Sequence, residues 1–174
     1  MISYKHLEFH PEKPTDNDEI NQIIELVKVN LSEPYCIYTY RYFLNQCPQL
    51  CYIAYDDEKP KEQNIIAVSI SKAETHQGVR VRGYLGMIAV DPAYRGKGIA
   101  KTLIDKSIDV MIDSYHCDEI VLETEVNNPQ ALNLYESFGF IRTRRLFRYY
   151  LNKNDAYRLV LPLTEKSTIR TYFL

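Results

Sequence analysis

The sequence predicts an α/β chain in which a mixed sheet is covered by helices. Three observations carry this. Short β-branched, apolar runs alternate with stretches whose apolar residues recur at helical spacing. Strong boundary signals, Asp91-Pro92, Asn128-Pro129 and Gly139, separate them. The second half of the chain reads strand, helix, strand, helix, strand, strand, an order that a helical or all-β fold does not produce.

Tyr4 to Phe9 reads as a first strand. Ile20, Ile23, Ile24, Val27 and Leu31 recur on one helical face, with Asp16 or Asn17 as cap. Ser32-Glu33-Pro34 interrupts that helix, and Tyr35 to Gln46 forms a second one, ended by Pro48. Leu50 to Tyr55 is a strand, and Asp56 to Gln63 a charged, solvated turn. Ile65 to Ser71 and Val79 to Val90 are further strands separated at Gly78. Arg95 to Ala100 opens a helix with Ile99, Leu103, Ile108, Met111, Ile112 and Tyr115 on its apolar face. Glu119 to Val126 is a strand. Asn128 caps and Pro129 starts the next helix, faced by Ala131, Leu134, Tyr135 and Phe138 and stopped by Gly139. Phe140 to Leu151 and Tyr157 to Leu163 close the fold as two long strands joined at Asn152 to Asp155.

The chain has 174 residues with a net charge of −2, which suits one domain and argues against a surface that coats nucleic acid or anionic membrane. No apolar run reaches the length of a membrane span, and Met1 to His6 lacks the apolar region of a secretory signal. Fifteen Tyr against no Trp places many hydroxyl-tipped rings at a core edge or a binding surface. Cys36, Cys47, Cys51 and Cys117 include no C-x-x-C pair. Cys47 and Cys51 have no histidine nearby in sequence, so the cysteines read as reduced, packed thiols and no metal site is expected. His116 beside Cys117 reads as a helix end.

A strand that runs into a glycine-bearing loop and then a helix builds an anion site, because loop amides and the helix N-terminus point at the ligand. Arg95-Gly96-Lys97-Gly98-Ile99-Ala100 has this form. It is neither a Walker loop nor a dinucleotide fingerprint, and taken alone it also fits a tight strand-to-helix turn. It follows Gly86-Met87-Ile88-Ala89-Val90-Asp91-Pro92 and precedes, one strand later, Asn128-x-x-Ala131-x-x-x-Tyr135-Glu136-x-x-Gly139-Phe140.

This combined pattern resembles the GNAT superfamily of acyl-CoA N-acyltransferases over nearly the whole chain. The resemblance implies a GNAT fold, a mixed, mostly antiparallel sheet flanked by helices. It implies acetyl-CoA as co-substrate, with the pyrophosphate on Arg95, Gly96, Lys97, Gly98, Ile99 and Ala100 and the pantetheine along Ile88, Ala89 and Val90, and with Asn128, Asn133 and Tyr135 also at the cofactor. A narrower likeness lies on top of it. Leu31 to Tyr35, Tyr40 to Gln46, Leu122 to Val126 and Phe147 to Leu151 are similar to the catalytic subunits of N-terminal acetyltransferase C. That implies a cytoplasmic, ribosome-associated enzyme acetylating nascent chains that begin with Met and a hydrophobic residue (Leu, Ile, Phe or Trp). It further implies a large helical auxiliary subunit and a small third subunit. The acetyltransferase domain is placed at residues 1–163 and a C-terminal tail at 164–174.

The chemistry moves an acetyl group from a thioester to an α-amine that must be neutral to attack. The resemblance places Glu123, the first carboxylate of Glu123-Thr124-Glu125, as the base, acting directly or through a water, with Glu125 the nearest alternative. Read from its strand alone, Glu123 is a surface carboxylate. Tyr135 is the candidate acid for the departing thiolate, although its spacing also fits a core aromatic beside Leu134 and Phe138. Main-chain amides around Ile88 and Val90 would stabilise the oxyanion. Leu31, Glu33, Pro34 and Tyr35, with Tyr149 and Tyr150, would form the substrate lip; Glu33 equally fits an exposed loop cap. Arg142, Arg144 and Arg148 fall on one face of a strand, and Arg80 and Arg82 form a smaller pair. Such clusters pair with acids or stay solvated, or meet an acidic partner, a CoA phosphate or ribosomal RNA. Two rivals stand beside the leading reading: a lysine or small-molecule acetyltransferase of the same fold, and a non-catalytic acyl-CoA-binding module, against which the joint presence of Glu123 and Tyr135 argues.

Overall fold

The computed structural model describes residues 1–7, 10, 17–33 and 35–168. Seven strands and five helices follow one another as β1 (Ile2–His6), α1 (Asn17–Asn30), α2 (Ile37–Gln46), β2 (Cys51–Asp56), β3 (Ile65–His76), β4 (Arg80–Val90), α3 (Ile99–Asp113), β5 (Glu119–Glu125), α4 (Pro129–Ser137), β6 (Ile141–Leu146), β7 (Ala156–Pro162) and α5 (Glu165–Thr168). The sheet order is β1-β2-β3-β4-β5-β7-β6. β1–β2, β2–β3, β5–β7 and β6–β7 are antiparallel, and β4–β5 is parallel. This is the mixed sheet that the sequence predicts, mostly antiparallel as the resemblance implies. Contacts divide the chain into two compact units, Met1–Lys72 with Gly86–Val110, and Ala73–Leu85 with Met111–Leu174.

In the first unit, Ile20, Ile23 and Val27 of α1 are buried at the predicted helical spacing, while Ile24 is only half-buried. α2 begins at Ile37, two residues later than expected, with Cys36 as its N-cap, and buries Tyr40, Phe43 and Leu44. Tyr52 and Ala54 of β2, Ile66 and Ala67 of β3, and Ile99 and Leu103 of α3 share one core cluster. The apolar face of α3 is Ile99, Leu103, Ile104, Ile108 and Met111; Ile112, expected on it, is 42% exposed. On the buried side sits Ser107, whose hydroxyl bonds Ser69 at 3.1 Å and donates to its own helix at Leu103 O. β1 begins at Ile2 rather than Tyr4, paired to Asp56 of β2, and residues 8 and 9 of the expected strand lie outside the described residues.

Gly86 carries the packing of α2. A Cβ there would lie 2.8 Å from Cε1 of Phe43 and 3.2 Å from the carbonyl oxygen of Ile70. Gly86→Ala therefore costs about 1–3 kcal/mol by overpacking. The denaturant midpoint falls while the m-value stays constant; an unchanged midpoint would mean that the Phe43 ring yields freely.

In the second unit, β5 pairs with β7 from Glu119↔Pro162 to Glu125↔Ala156. Ile120, Val121, Leu122, Leu132, Phe140, Ala156, Leu159 and Val160 are buried. Leu132 is the buried residue of α4, whereas Leu134, Tyr135 and Phe138 are half-buried, so the predicted face was turned by about one position. α3 closes as expected at His116, whose φ of +51° lets the Cys117 N–H reach back to Met111 O at 2.9 Å. Two expectations need correction here. β3 runs on to His76 because β-pairing continues through its polar, half-exposed end. β6 stops at Leu146 instead of Leu151. Its ladder slips between Arg142 and Arg144, and Arg148, at φ +46°, turns the chain out of the sheet while its N–H donates to Asp155 Oδ1 at 2.8 Å.

Candidate active site

The residues from Ile88 to Ala100 expected at the cofactor lie in the first unit. Along β4, burial alternates strictly from Tyr84 onward: Leu85, Met87 and Ala89 are buried, and Ile88 and Val90 lie on the half-exposed face. Asp91 ends the strand, its N–H bonded to Ile66 O and its carboxylate accepting the Ala93 N–H at 2.9 Å. α3 then starts at Ile99, so Arg95 to Gly98 form the loop before the helix rather than its first turn. Gly96 and Gly98 both have φ +76°, with no atom within 4 Å of where a Cβ would stand. The loop is thus an open cradle beneath the first-turn amides of α3, which have no partner inside the helix. Its residues fit a pyrophosphate.

Arg95 is exposed but held. Its guanidinium donates to Asn30 Oδ1 and, at 3.3 Å, to Val90 O, so it ties the loop to α1 and β4. Asn30, which the sequence reasoning missed, is itself held by its bond to Leu26 O at 2.7 Å. Tyr94 supports the loop from below. Its hydroxyl donates to Asp56 at 2.7 Å, and the ammonium groups of Lys59 and Lys97 stand 4.8 and 4.7 Å from its ring centre. That hydrogen bond pushes the phenol pKa up and holds the Asp56 carboxyl below its ordinary value.

The candidate acid–base residues Glu123 and Tyr135 lie in the second unit. β5–β7 register sets Glu123 opposite Arg158. The Arg158 guanidinium donates to Glu123 Oε1 from Nε at 3.1 Å and from a terminal nitrogen at 2.9 Å. The Glu123 side chain is 6% exposed, so this is no surface carboxylate. Its second oxygen, Oε2, is buried without a hydrogen-bond partner among the described residues. A buried carboxylate oxygen left open is costly, and it is where an incoming N–H or water would be accepted. Arg158 was not foreseen, although two strands ending in opposite charges were the available signal.

Tyr135 projects from α4, whose start is built as predicted: Asn128 Oδ1 caps the Ala131 N–H at 3.1 Å and Pro129 follows. The ring meets Phe140 edge-on at 5.9 Å. Burial pushes its pKa up to about 12. A phenol that weak stays protonated through the physiological range. Against a thiolate with an ordinary pKa near 8.5, full proton transfer is uphill. Tyr135 is therefore suited to donating a hydrogen bond to a sulfur anion. Asn133 is exposed on the same helix.

The lip residues fall in separate parts of the fold. Leu31, Glu33 and Tyr35 are half-buried between α1 and α2, and Tyr35 meets Tyr40 edge-on at 6.3 Å. Pro34 lies outside the described residues. Tyr149 and Tyr150, expected on a strand, lie in the turn after β6 with their rings 5.1 Å apart and perpendicular. The arginines sort into ion pairs. Arg142 pairs with Glu136, and Arg145 with Asp155 at 2.8 Å. Arg148 leaves the strand and stacks on Phe147, so Arg142, Arg144 and Arg148 do not share a strand face. Arg80 and Arg82 both bond the buried Glu119, at 3.2 and 2.8 Å, a structural ion cluster. Cys47, Cys51 and Cys117 are buried thiols and Cys36 an exposed one. Among the described residues no helix is long and apolar enough to cross a membrane.

A strand, a glycine cradle and a helix N-terminus in the first unit, with a buried carboxylate and a phenol in the second, are the parts of an acyl-CoA-dependent N-acyltransferase. Residues 20–140 match the acetyltransferase (GNAT) family, and the chain belongs to it. It is 53% identical over 173 residues to N-alpha-acetyltransferase 30 of Saccharomyces cerevisiae, covering 99% of this chain and 95% of that protein. Identity to N-alpha-acetyltransferase 30 of Homo sapiens is 47% over 145 residues, 83% of this chain but 38% of that longer protein. Among solved structures, a chain of the NatC complex bound to Gag peptide and CoA superposes with a TM-score of 0.86 at 52% identity, covering 94% of this chain and 99% of that one. Naa50 of Arabidopsis thaliana, bound to the bisubstrate analogue CoA-Ac-MVNAL, shares the fold with a TM-score of 0.76 at 22% identity over 93% of this chain and 99% of its own.

Proposed function

We propose that this chain is a peptide α-N-acetyltransferase, the catalytic subunit of an N-terminal acetyltransferase C complex. Its substrates are nascent proteins that begin with Met followed by Leu, Ile, Phe or Trp. The observation that carries the chemistry is the buried Glu123 carboxylate, gripped at Oε1 by Arg158 and open at Oε2, in the same unit as Tyr135. Support for the subunit assignment comes from the end-to-end likeness to N-alpha-acetyltransferase 30 of Saccharomyces cerevisiae and to a chain of the NatC complex.

Acetyl-CoA supplies the acetyl group as an activated thioester. Gly96 to Ala100 hold its pyrophosphate through loop and helix amides. Ile88, Ala89 and Val90 hydrogen-bond the pantetheine, and Asn128 and Asn133 add side-chain amides. Glu123 accepts the proton of the incoming amine at Oε2, directly or through one water. Amides of β4 stabilise the developing oxyanion. Tyr135 donates a hydrogen bond to the leaving sulfur. Leu31, Glu33, Pro34, Tyr35, Tyr149 and Tyr150 receive the peptide. A large helical auxiliary subunit and a small third subunit bring the enzyme to the ribosome in the cytoplasm.

A thiol-release assay on a peptide panel tests this. Met-Leu, Met-Ile and Met-Phe peptides outrun Met-Lys and Ser-Glu peptides, because an apolar pocket gains about 0.8 kcal/mol per buried methylene and penalises a buried ammonium. Blocked peptides with internal lysines stay unmodified. Equal rates across the panel would sink the hydrophobic-pocket assignment, and acetylation of the blocked peptides would make this a lysine acetyltransferase.

A further inference from the structure

We propose that Glu125 is the positioning residue of the peptide lip: it clasps the β6–β7 connection through Asn152 and Asn154 and thereby sets peptide affinity. This rests on Tyr149 and Tyr150 being substrate contacts, as argued above.

The connection spanning 147–155 is poorly suited to hold its own shape. Arg148 and Lys153 take left-handed backbone angles, φ +46° and +66°, that side chains other than glycine disfavour. Phe147 and Leu151 are 77% and 70% exposed, so little burial anchors the segment. Two carboxylates are among its anchors. Asp155 accepts the Arg148 N–H and the Arg145 Nε at 2.8 Å each. Glu125 accepts Asn152 Nδ2 at 2.9 Å on one oxygen and Asn154 Nδ2 at 3.2 Å on the other. The Asn152 carboxamide also accepts the Asn154 N–H at 2.9 Å. Tyr150 N–H bonds Asn154 O at 3.2 Å, and Lys153 N–H bonds Tyr150 O at 2.9 Å. The two tyrosines therefore ride on a turn that Glu125 ties to β5.

The chemistry requires a carboxylate. Two NH2 donors need two acceptor oxygens, and the charge strengthens both bonds. A glutamine would set one of its own N–H groups against a donor. Position matters as well. Glu123 and Glu125 are two residues apart on one strand, so they project from the same face. The clasp thus references the lip to the strand that carries the base. A lip already ordered before binding loses less entropy when peptide arrives, which lowers KM and leaves the chemical step alone.

The test compares full-length wild type, Glu125→Gln, and the Asn152→Ala/Asn154→Ala pair. Steady-state kinetics with a Met-Leu peptide is combined with hydrogen exchange at the Tyr150 and Lys153 amides. Glu125→Gln raises peptide KM about three- to tenfold, with kcat within about twofold and acetyl-CoA KM unmoved. Both amides exchange faster. The asparagine pair reproduces this, and combining it with Glu125→Gln adds little, as expected for groups acting as one unit. A fall in kcat on the order of 100-fold at constant KM would overturn the proposal and place Glu125 in the chemistry. Unchanged exchange in both variants would show that there is no clasp, and faster exchange at constant KM would show that the clasp does not position peptide. Failure of the peptide-class reading would appear instead in the wild type, as equal rates across the panel, while the exchange data still decide the clasp.

Discussion

Glu123→Gln lowers kcat by a factor on the order of 10²–10⁴, the range for a positioned acid–base group. Peptide and acetyl-CoA KM stay close to wild type, because the isosteric amide keeps the volume of the side chain and its acceptor toward Arg158. What is lost is the carboxylate oxygen at Oε2, buried and without a partner in the described structure. Arg158 loses its counter-ion but is 35% exposed, so water solvates the guanidinium and the fold survives. Unaltered circular dichroism and denaturant midpoint would confirm that the kinetic loss is chemical. Wild-type turnover in Glu123→Gln, beside a dead Glu125→Gln, would move the base to Glu125 and overturn the clasp with the same experiment.

Gly98→Val weakens acetyl-CoA binding by about tenfold or more. Two effects add. A left-handed residue with a Cβ pays roughly 1–2 kcal/mol, more when β-branched, so the loop leaves its φ of +76°. The valine side chain also fills the open space above the loop, where nothing lies within 4 Å of a Cβ. A phosphate can then no longer approach the amides closely. Calorimetry on the folded variant reads the affinity directly, with Glu123→Gln as the control that binds normally. Unchanged affinity in Gly98→Val would rule out this loop as the pyrophosphate cradle.

The features legible in the amino-acid order are local. The Asn128-Pro129 start of α4, the helical spacing of Ile20, Ile23 and Val27, the glycine loop before α3 and the turn at His116 all appear in the structure. Each depends on backbone preference or on the burial of one face within a few residues, and such signals are written in neighbouring positions. The motif likeness singled out Glu123, Tyr135 and the glycine loop as candidates for the same reason, since each lies in a contiguous stretch. Who meets whom across the chain emerges only from the folded structure. Arg158 grips Glu123 from 35 residues away, and Arg95 reaches Asn30 from 65. The end of β6 followed neither composition nor alternation, because Phe147 to Leu151 alternates well enough for a strand. It was settled by Asp155 capping Arg148 and by Glu125 holding Asn152 and Asn154. Those partners are chosen by strand register and by the geometry of hydrogen-bond donors and acceptors in space, and a one-residue slip in register would have chosen others.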